Sequence, residues 1–198
     1  MLYESESGNL RVALGGDCIP TRRLSVFQED RFLMLRDILH SADVRFVNFE
    51  STVHEYLEGH HHISEGTYIT TEPSLLEDLK WFGINLLSSA GSHSYDYGEG
   101  GITRTMQYLN EAGIIHAGIG RNLREARSPA YIDTARGRVG IVAVTAHLTE
   151  AGIAGEQRPD VLGRPGLNPL RFKTAYVVDE QILQNLKQLA ELIGVEAE

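Results

Sequence analysis

Val44-Arg-Phe-Val-Asn-Phe-Glu50 is the stretch whose reading decides the fold. It is a short apolar run that ends in an amide and a carboxylate, and such a run reads as a buried strand. Two more runs have the same form, Leu10-Arg-Val-Ala-Leu-Gly-Gly-Asp17 and Ile84-Asn-Leu-Leu-Ser-Ser-Ala90, the second leading into Ser92, His93 and Asp96. Helical patterns fall between and after these strands, at about 28–40, 73–82 and 101–112, with a further short strand near 114–117. The alternation is an α/β pattern. If the strands are parallel, their carboxyl ends share one edge of the sheet, which is where open α/β sheets place ligands.

The punctuation agrees with this order. Thr71-Glu-Pro-Ser74 opens the second helix with Pro73 in its first turn, and Gly83 and Gly113 close the second and third helices. Beyond Gly118 the pattern changes. Pro129 to Ala135, an Arg136-Gly-Arg138 turn and the run Val139 to Ala146 read as a hairpin, so the sheet is expected to be mixed. Residues 148–171 hold four glycines with Pro159, Pro165 and Pro169 and no clear period, which predicts a long turn-rich loop, functional or serving as a lid. Phe172 to Val178 suits an alternating strand, and Glu180 to Ile193 an amphipathic helix. The chain ends just past that helix, where a return to the sheet is expected, and so reads as a C-terminally cut piece of one domain spanning 1–198.

Composition narrows the partners. With 18 basic against 27 acidic residues the chain carries a formal charge of −9, which excludes nucleic acid as the default partner because a polyphosphate needs a basic footprint. An anionic substrate must then be met by local positive charge or by metal. Cys18 is the single cysteine, so there is neither a disulfide framework nor a thiolate zinc cluster. The acidic N-terminus lacks the basic start and apolar core of a secretory signal, and no apolar run approaches the roughly 20 residues that span a bilayer. A soluble, cytoplasmic protein is expected.

Three strand ends thus deliver oxygen and nitrogen donors to one edge, and the site predicted there is a divalent-metal site. Asp17 follows Gly15-Gly16, where backbone can approach an ion closely; it ligates a metal or caps a turn. Asn48 and Glu50 lie on one strand face, since side chains alternate with period two; both can reach one ion, or serve turn chemistry. An amide oxygen and a carboxylate are hard ligands that suit manganese, magnesium, calcium or iron. In Gly91-Ser-His-Ser-Tyr-Asp96, His93 is a candidate general acid toward a leaving oxygen, with Asp96 holding its tautomer or capping the next helix. Arg22 and Arg23, just past Asp17, can meet an anionic substrate group, or are plain surface residues. The triplet His60-His61-His62 reads as a solvated loop, because neighbours on an extended chain point apart. His147 lies at a plausible edge of the site. His40, His54 and His116 read as surface or packing residues, and Cys18 as a small buried residue.

Gly16-Asp17, Asn48-Phe-Glu50 and Ala90-Gly-Ser-His93 with Asp96-Tyr-Gly98 together resemble the bacterial poly-gamma-glutamate capsule synthesis (CapA-like) family of the calcineurin-like metallophosphoesterase superfamily. The resemblance runs from about Leu10 to Val144 and takes in the loop through Gly166-Leu-Asn-Pro169. It implies a four-layer sandwich of two mixed sheets flanked by helices, with a site for one or two divalent ions, manganese, magnesium or iron, at the strand ends. Asp17 would be a first-metal ligand, Glu50 the bridging carboxylate, Asn48 an accessory ligand and His93 the group near the leaving oxygen. The implied activity is that of a metal-dependent hydrolase acting on a small or polymer-derived anionic substrate. Two departures stand against it. Ser92 takes the place of the family's metal-ligating amide, and no Gly-His-x-His-like pattern is present in the C-terminal half. The alternative is a non-catalytic binding or scaffold protein that keeps the fold with a degraded metal site. A plain nucleotide-binding domain is disfavoured, because no Gly-x-Gly-x-x-Gly turn follows the first strand.

Overall fold

The computed structural model describes residues 8–57, 59–62, 66–146 and 150–195. In chain order the elements are β1 (Val12–Cys18), α1 (Asp30–His40), β2 (Val44–Phe49), β3 (Thr52–Val53), β4 (Thr70–Thr71), α2 (Leu75–Phe82), β5 (Leu86–Ser88) and α3 (Gly98–Glu111). They continue with β6 (Ile115–Ala117), β7 (Ile119–Gly120), α4 (Leu123–Ala126), β8 (Ala130–Thr134), β9 (Gly137–Ile141), β10 (Gly166–Leu167) and α5 (Glu180–Ile193). Strands β1, β2, β5 and β6 form a four-stranded sheet in that order, and every pairing in it is parallel. Their carboxyl ends therefore share one edge.

The central strand β2 explains the layers. Val44 and Phe46 face one side of the sheet and Val47 and Phe49 the other, so that Val44, Val47 and Phe49 are all buried. On the Val47 and Phe49 face, Leu76 and Leu79 of α2 and Leu109 of α3 complete the largest apolar cluster with Ile84, Leu87 and Ile114. On the opposite face Val44 and Leu86 meet Ile132 of β8, with Val139 and Ile141 of β9 against them. Gly83 ends α2 with φ 106° and a backbone bond from its N–H to the Leu79 carbonyl, the left-handed stop that its sequence position predicts. Helix α3 starts three residues earlier than its apolar spacing suggests. The glycines of its first turn are the reason: a Cβ on Gly101 would sit 2.8 Å from Tyr97 Cβ and 2.9 Å from Thr52 Cγ2, so only glycine lets that turn close onto β3.

Several expectations are corrected. The main sheet is parallel rather than mixed, because the hairpin β8–β9 pairs only with itself, turns at Ala135-Arg136, and lies across the sheet face. Residues 172–178 form no strand, and their apolar side chains Phe172, Tyr176 and Val177 are exposed. The described part of the long loop is no open lid. Leu167 and Asn168 are buried, β10 pairs antiparallel with β7, and the Asn168 amide donates to the Ala143 carbonyl at 2.9 Å. Among the described residues the ladders outside the four-stranded sheet have two strands each, so a mixed α/β fold stands here without a second large sheet. Edge strand β1 leaves Leu14 76% exposed on the face that carries the hairpin. Helix α5 occupies its expected range and buries none of its residues.

Candidate functional site

A bulge positions the first acid. Leu14 pairs with Phe46 and Asp17 with Asn48, so β1 spends one residue more than β2 over this interval, at Gly15-Gly16. A Cβ on Gly15 would lie 2.9 Å from Val47 Cγ1, so the strands can approach there only without a side chain. The extra residue brings Asp17 level with Asn48, and Asn48 is level in turn with Ser88 on β5.

One amide group joins the two acids. Asn48 Nδ2 donates to Asp17 Oδ1 at 2.8 Å and to Glu50 Oε2 at 2.7 Å. Glu50 is buried, and its other oxygen accepts the Ser92 N–H at 2.6 Å, the Ser92 hydroxyl at 2.5 Å and the His93 N–H at 3.3 Å. Gly91 makes this arrangement possible, since a Cβ there would stand 2.1 Å from Glu50 Oε2. The 91–96 turn is braced further by the Gly91 N–H donating to Ser94 Oγ at 3.1 Å and by Thr52 Oγ1 donating to the His93 carbonyl at 2.9 Å. His93 Nδ1 lies 2.8 Å from Asp96 Oδ2, and the buried Asp96 also accepts the Ile69 N–H at 2.7 Å. Asp96 thus orients the imidazole and ties the 66–71 segment to the site; its side chain takes no part in capping α3.

The donor chemistry suits a hard ion held by few ligands. The oxygens of Asp17 and Glu50 both stand within 2.8 Å of one nitrogen, so a positive group between them relieves two like charges, and Asn48 turned about its amide would offer an oxygen at that point. Among the described residues, no group of three or more His, Cys, Asp or Glu is placed to hold an ion. Any cation here rests on two carboxylates supplemented by the neutral oxygens of Asn48 and Ser92.

Arg22 and Arg23 fall elsewhere. They line a neighbouring cleft of about 390 Å³ with Thr21, Tyr56, Thr70 and Glu72, and none of Asp17, Asn48, Glu50 or His93 lines it. The loop carrying them is pinned by Asp78. Burial works against that carboxylate, yet the Ser25 N–H at 2.7 Å prevails and holds Asp78 below the ordinary carboxylate range, with Arg23 adding to the effect. Cys18 is no nucleophile at neutral pH, because burial pushes its thiol up to about 11. Of the histidine triplet, His60 and His61 are exposed, while the His62 N–H donates to the Asp96 carbonyl at 2.7 Å and its ring lies 5.3 Å from Tyr95. His54 is fully buried, a packing residue as read. His147 lies outside the described residues. Gly91, Thr52 and Ile69 escaped sequence reasoning, since each acts through backbone approach or a pairing across the fold; Gly91 alone left a trace, as a glycine beside a candidate motif.

The sequence profile of the family described as bacterial capsule synthesis protein matches residues 11–195, nearly the whole chain. The chain belongs to this capsule synthesis family. Two curated relatives from Sinorhizobium fredii (strain NBRC 101917 / NGR234), the uncharacterized proteins y4sH and y4uA, are each 32% identical to it over 181 residues. Those alignments take in 90% of this chain and 39% of each relative, so the chain spans about two fifths of the length of these relatives. The matched region contains each residue of the site described above. Among the described residues of this family member, no helix is long and apolar enough to cross a membrane.

Proposed function

We propose that this member of the capsule synthesis family is a metal-dependent hydrolase-like protein with a metallophosphoesterase-type site. Asp17 and Glu50 would hold a divalent ion, with Asn48 and Ser92 as neutral oxygen ligands and manganese, magnesium or iron as the hard ions that suit such donors. The reading is carried by one observation: two carboxylates from adjacent parallel strands meet on a single amide nitrogen, beside an imidazole oriented by its own carboxylate. When bound, one or two such ions supply Lewis-acid polarisation of a phosphoryl or carbonyl oxygen. His93, with Nδ1 engaged by Asp96, keeps its other ring nitrogen for a proton passed to a leaving oxygen. Asp96 selects the tautomer, and Arg22 and Arg23 would meet an anionic part of a substrate long enough to reach the neighbouring cleft. A capsule polymer such as poly-gamma-glutamate, or a piece of one, has the required charge. The four-layer sandwich implied by the family would set a second sheet on the face where Leu14 and Val12 are exposed.

Metal analysis by mass spectrometry after manganese exposure tests the reading, with the thermal midpoint read in parallel with and without manganese. About one or two bound ions and a raised midpoint, both lost in Asp17→Asn and Glu50→Gln, are expected. A well-folded chain that binds no manganese overturns the metal-centre reading. The second reading, a binding or scaffold protein on the same fold, is favoured by one observation: the acceptors of Glu50 are already engaged by Asn48, Ser92 and His93, which lets the site stand without an ion.

A further inference from the structure

Tyr56 is the sole non-glycine residue with positive φ among the described residues, at 63°. Such a conformation is strained for a bulky side chain and persists where the surroundings impose it, often at ligand sites. Here the Tyr56 N–H donates to Nδ1 of the buried His54 at 2.9 Å, and the Tyr56 ring stands out from the surface, 4.9 Å from the His54 ring and 5.9 Å from that of Tyr97. Tyr56 lines two adjoining hollows. One, of about 390 Å³, is lined by Arg22, Arg23 and the hydroxyl residues Thr21, Thr70 and Ser74. The other, of about 270 Å³, is lined by His54, Glu55 and Pro73. Tyr56, Glu72 and Ser74 belong to both.

Charges of both signs line the first hollow, and acids alone the second. Two guanidinium groups beside three hydroxyls give the first hollow the chemistry of a carboxylate site, with Glu72 as the acid on its border. Glu55 and Glu72 offer acceptors to the second, and the exposed Tyr56 ring offers π-electrons, which is the chemistry of an ammonium site. Arg22, Arg23 and Glu72 border one cleft, yet no ion pair within 4.0 Å joins either arginine to Glu72 or to any other described acid. Opposite charges held in one cleft without closing on each other leave room for a ligand that joins them.

We infer that the Tyr56 cleft is a binding site for a zwitterionic ligand of the amino-acid type, its carboxylate held by Arg22 and Arg23 and its ammonium by Glu72 against the Tyr56 ring. The inference rests on the reading of the arginines as an anion cradle and is independent of the metal centre. It gives the cleft a selectivity that the arginines alone lack, since a simple dianion would meet Glu72 and be repelled.

The test uses the full chain and a series of ω-amino acids of two to six carbons, each titrated beside the alkanoate of equal length and followed by backbone amide shifts in NMR spectra. At least one ω-amino acid is expected to bind fivefold or more tightly than its alkanoate. Glu72→Gln should remove that advantage while leaving the alkanoate unchanged, and Arg22→Gln with Arg23→Gln should abolish binding of both. Tyr56→Gly, which relieves the backbone, should leave the melting temperature unchanged or raised and still weaken the amino acid several-fold. Equal binding of amino acid and alkanoate overturns the inference and spares the anion cradle. No binding of either at 20 mM overturns both, and manganese content decides the metal centre separately.

Discussion

Replacing Gly91 by alanine is the sharpest test of how the site is built. The added Cβ would stand 2.1 Å from Glu50 Oε2 and 2.7 Å from Cδ, where an ordinary contact needs roughly 3.5 Å. The carboxylate must therefore retreat by about 1.4 Å or the 91–96 turn must move, and both are tied: Glu50 is buried and accepts from Asn48, Ser92 and His93. Hydrogen bonds to a charged group contribute about 1.5–3 kcal/mol each, so losing the Asn48 bond and weakening one more costs about 2–4 kcal/mol after partial relaxation. For a chain of this size that lowers the melting temperature by about 5–12 °C. Gly16→Ala is the matched control, because a Cβ there meets nothing within 4 Å; it should leave stability unchanged or raise it slightly. Thermal and urea denaturation followed by circular dichroism measure both. Equal midpoints for the two variants would refute the argument that Glu50 owes its place to the missing side chain at 91, and manganese uptake should fall in Gly91→Ala alone.

Thr105→Val removes the hydroxyl that accepts the buried Val53 N–H at 2.8 Å and so strands a donor between α3 and β3; urea titration should show a loss of about 1–3 kcal/mol. Leu79→Ala opens a void among Val47, Phe49 and Leu87 from a fully buried position, with an expected loss of about 2–5 kcal/mol in the same assay. Burial depresses the pKa of His116, so the unfolded chain takes up a proton at higher pH than the folded one. Stability supplied by its neutral form is then complete above the unfolded value near 6.5 and declines as pH falls toward the folded value; a His116→Asn variant should show a flatter midpoint between pH 7 and 5. Asp96→Ala leaves the Ile69 N–H and His93 Nδ1 without their acceptor, with an expected loss of about 1–3 kcal/mol by urea titration, and faster hydrogen exchange over residues 66–71.

What the sequence by itself determined was the set of elements whose signals are local. The apolar runs at β1, β2 and β5, the glycine stops at Gly83 and Gly113 and the amphipathic period of α5 depend on near neighbours, and each is found where the chain predicts it. The placement of Asp17, Asn48 and Glu50 at one sheet edge followed from the same signals, because strand ends in a parallel sheet are brought together by the connectivity alone. Tertiary structure decided everything that depends on which backbone approaches which. The hairpin β8–β9 lies across the sheet because its apolar face finds Val44 and Leu86, a match that no local period encodes. The 150–170 loop is pinned because Gly166 lets its backbone come within 2.6 Å of the place where a Cβ would sit, which a glycine count reads only as flexibility. Gly91 shapes the Glu50 site through an absent atom, and Arg22 and Arg23 open onto the Tyr56 cleft instead of the carboxylates, since a loop's direction is set by the Ser25 to Asp78 bond from a helix over fifty residues away in the chain. Local patterns carry the direction of a chain for a few residues; the meeting of distant segments is an energetic choice made by the packed whole.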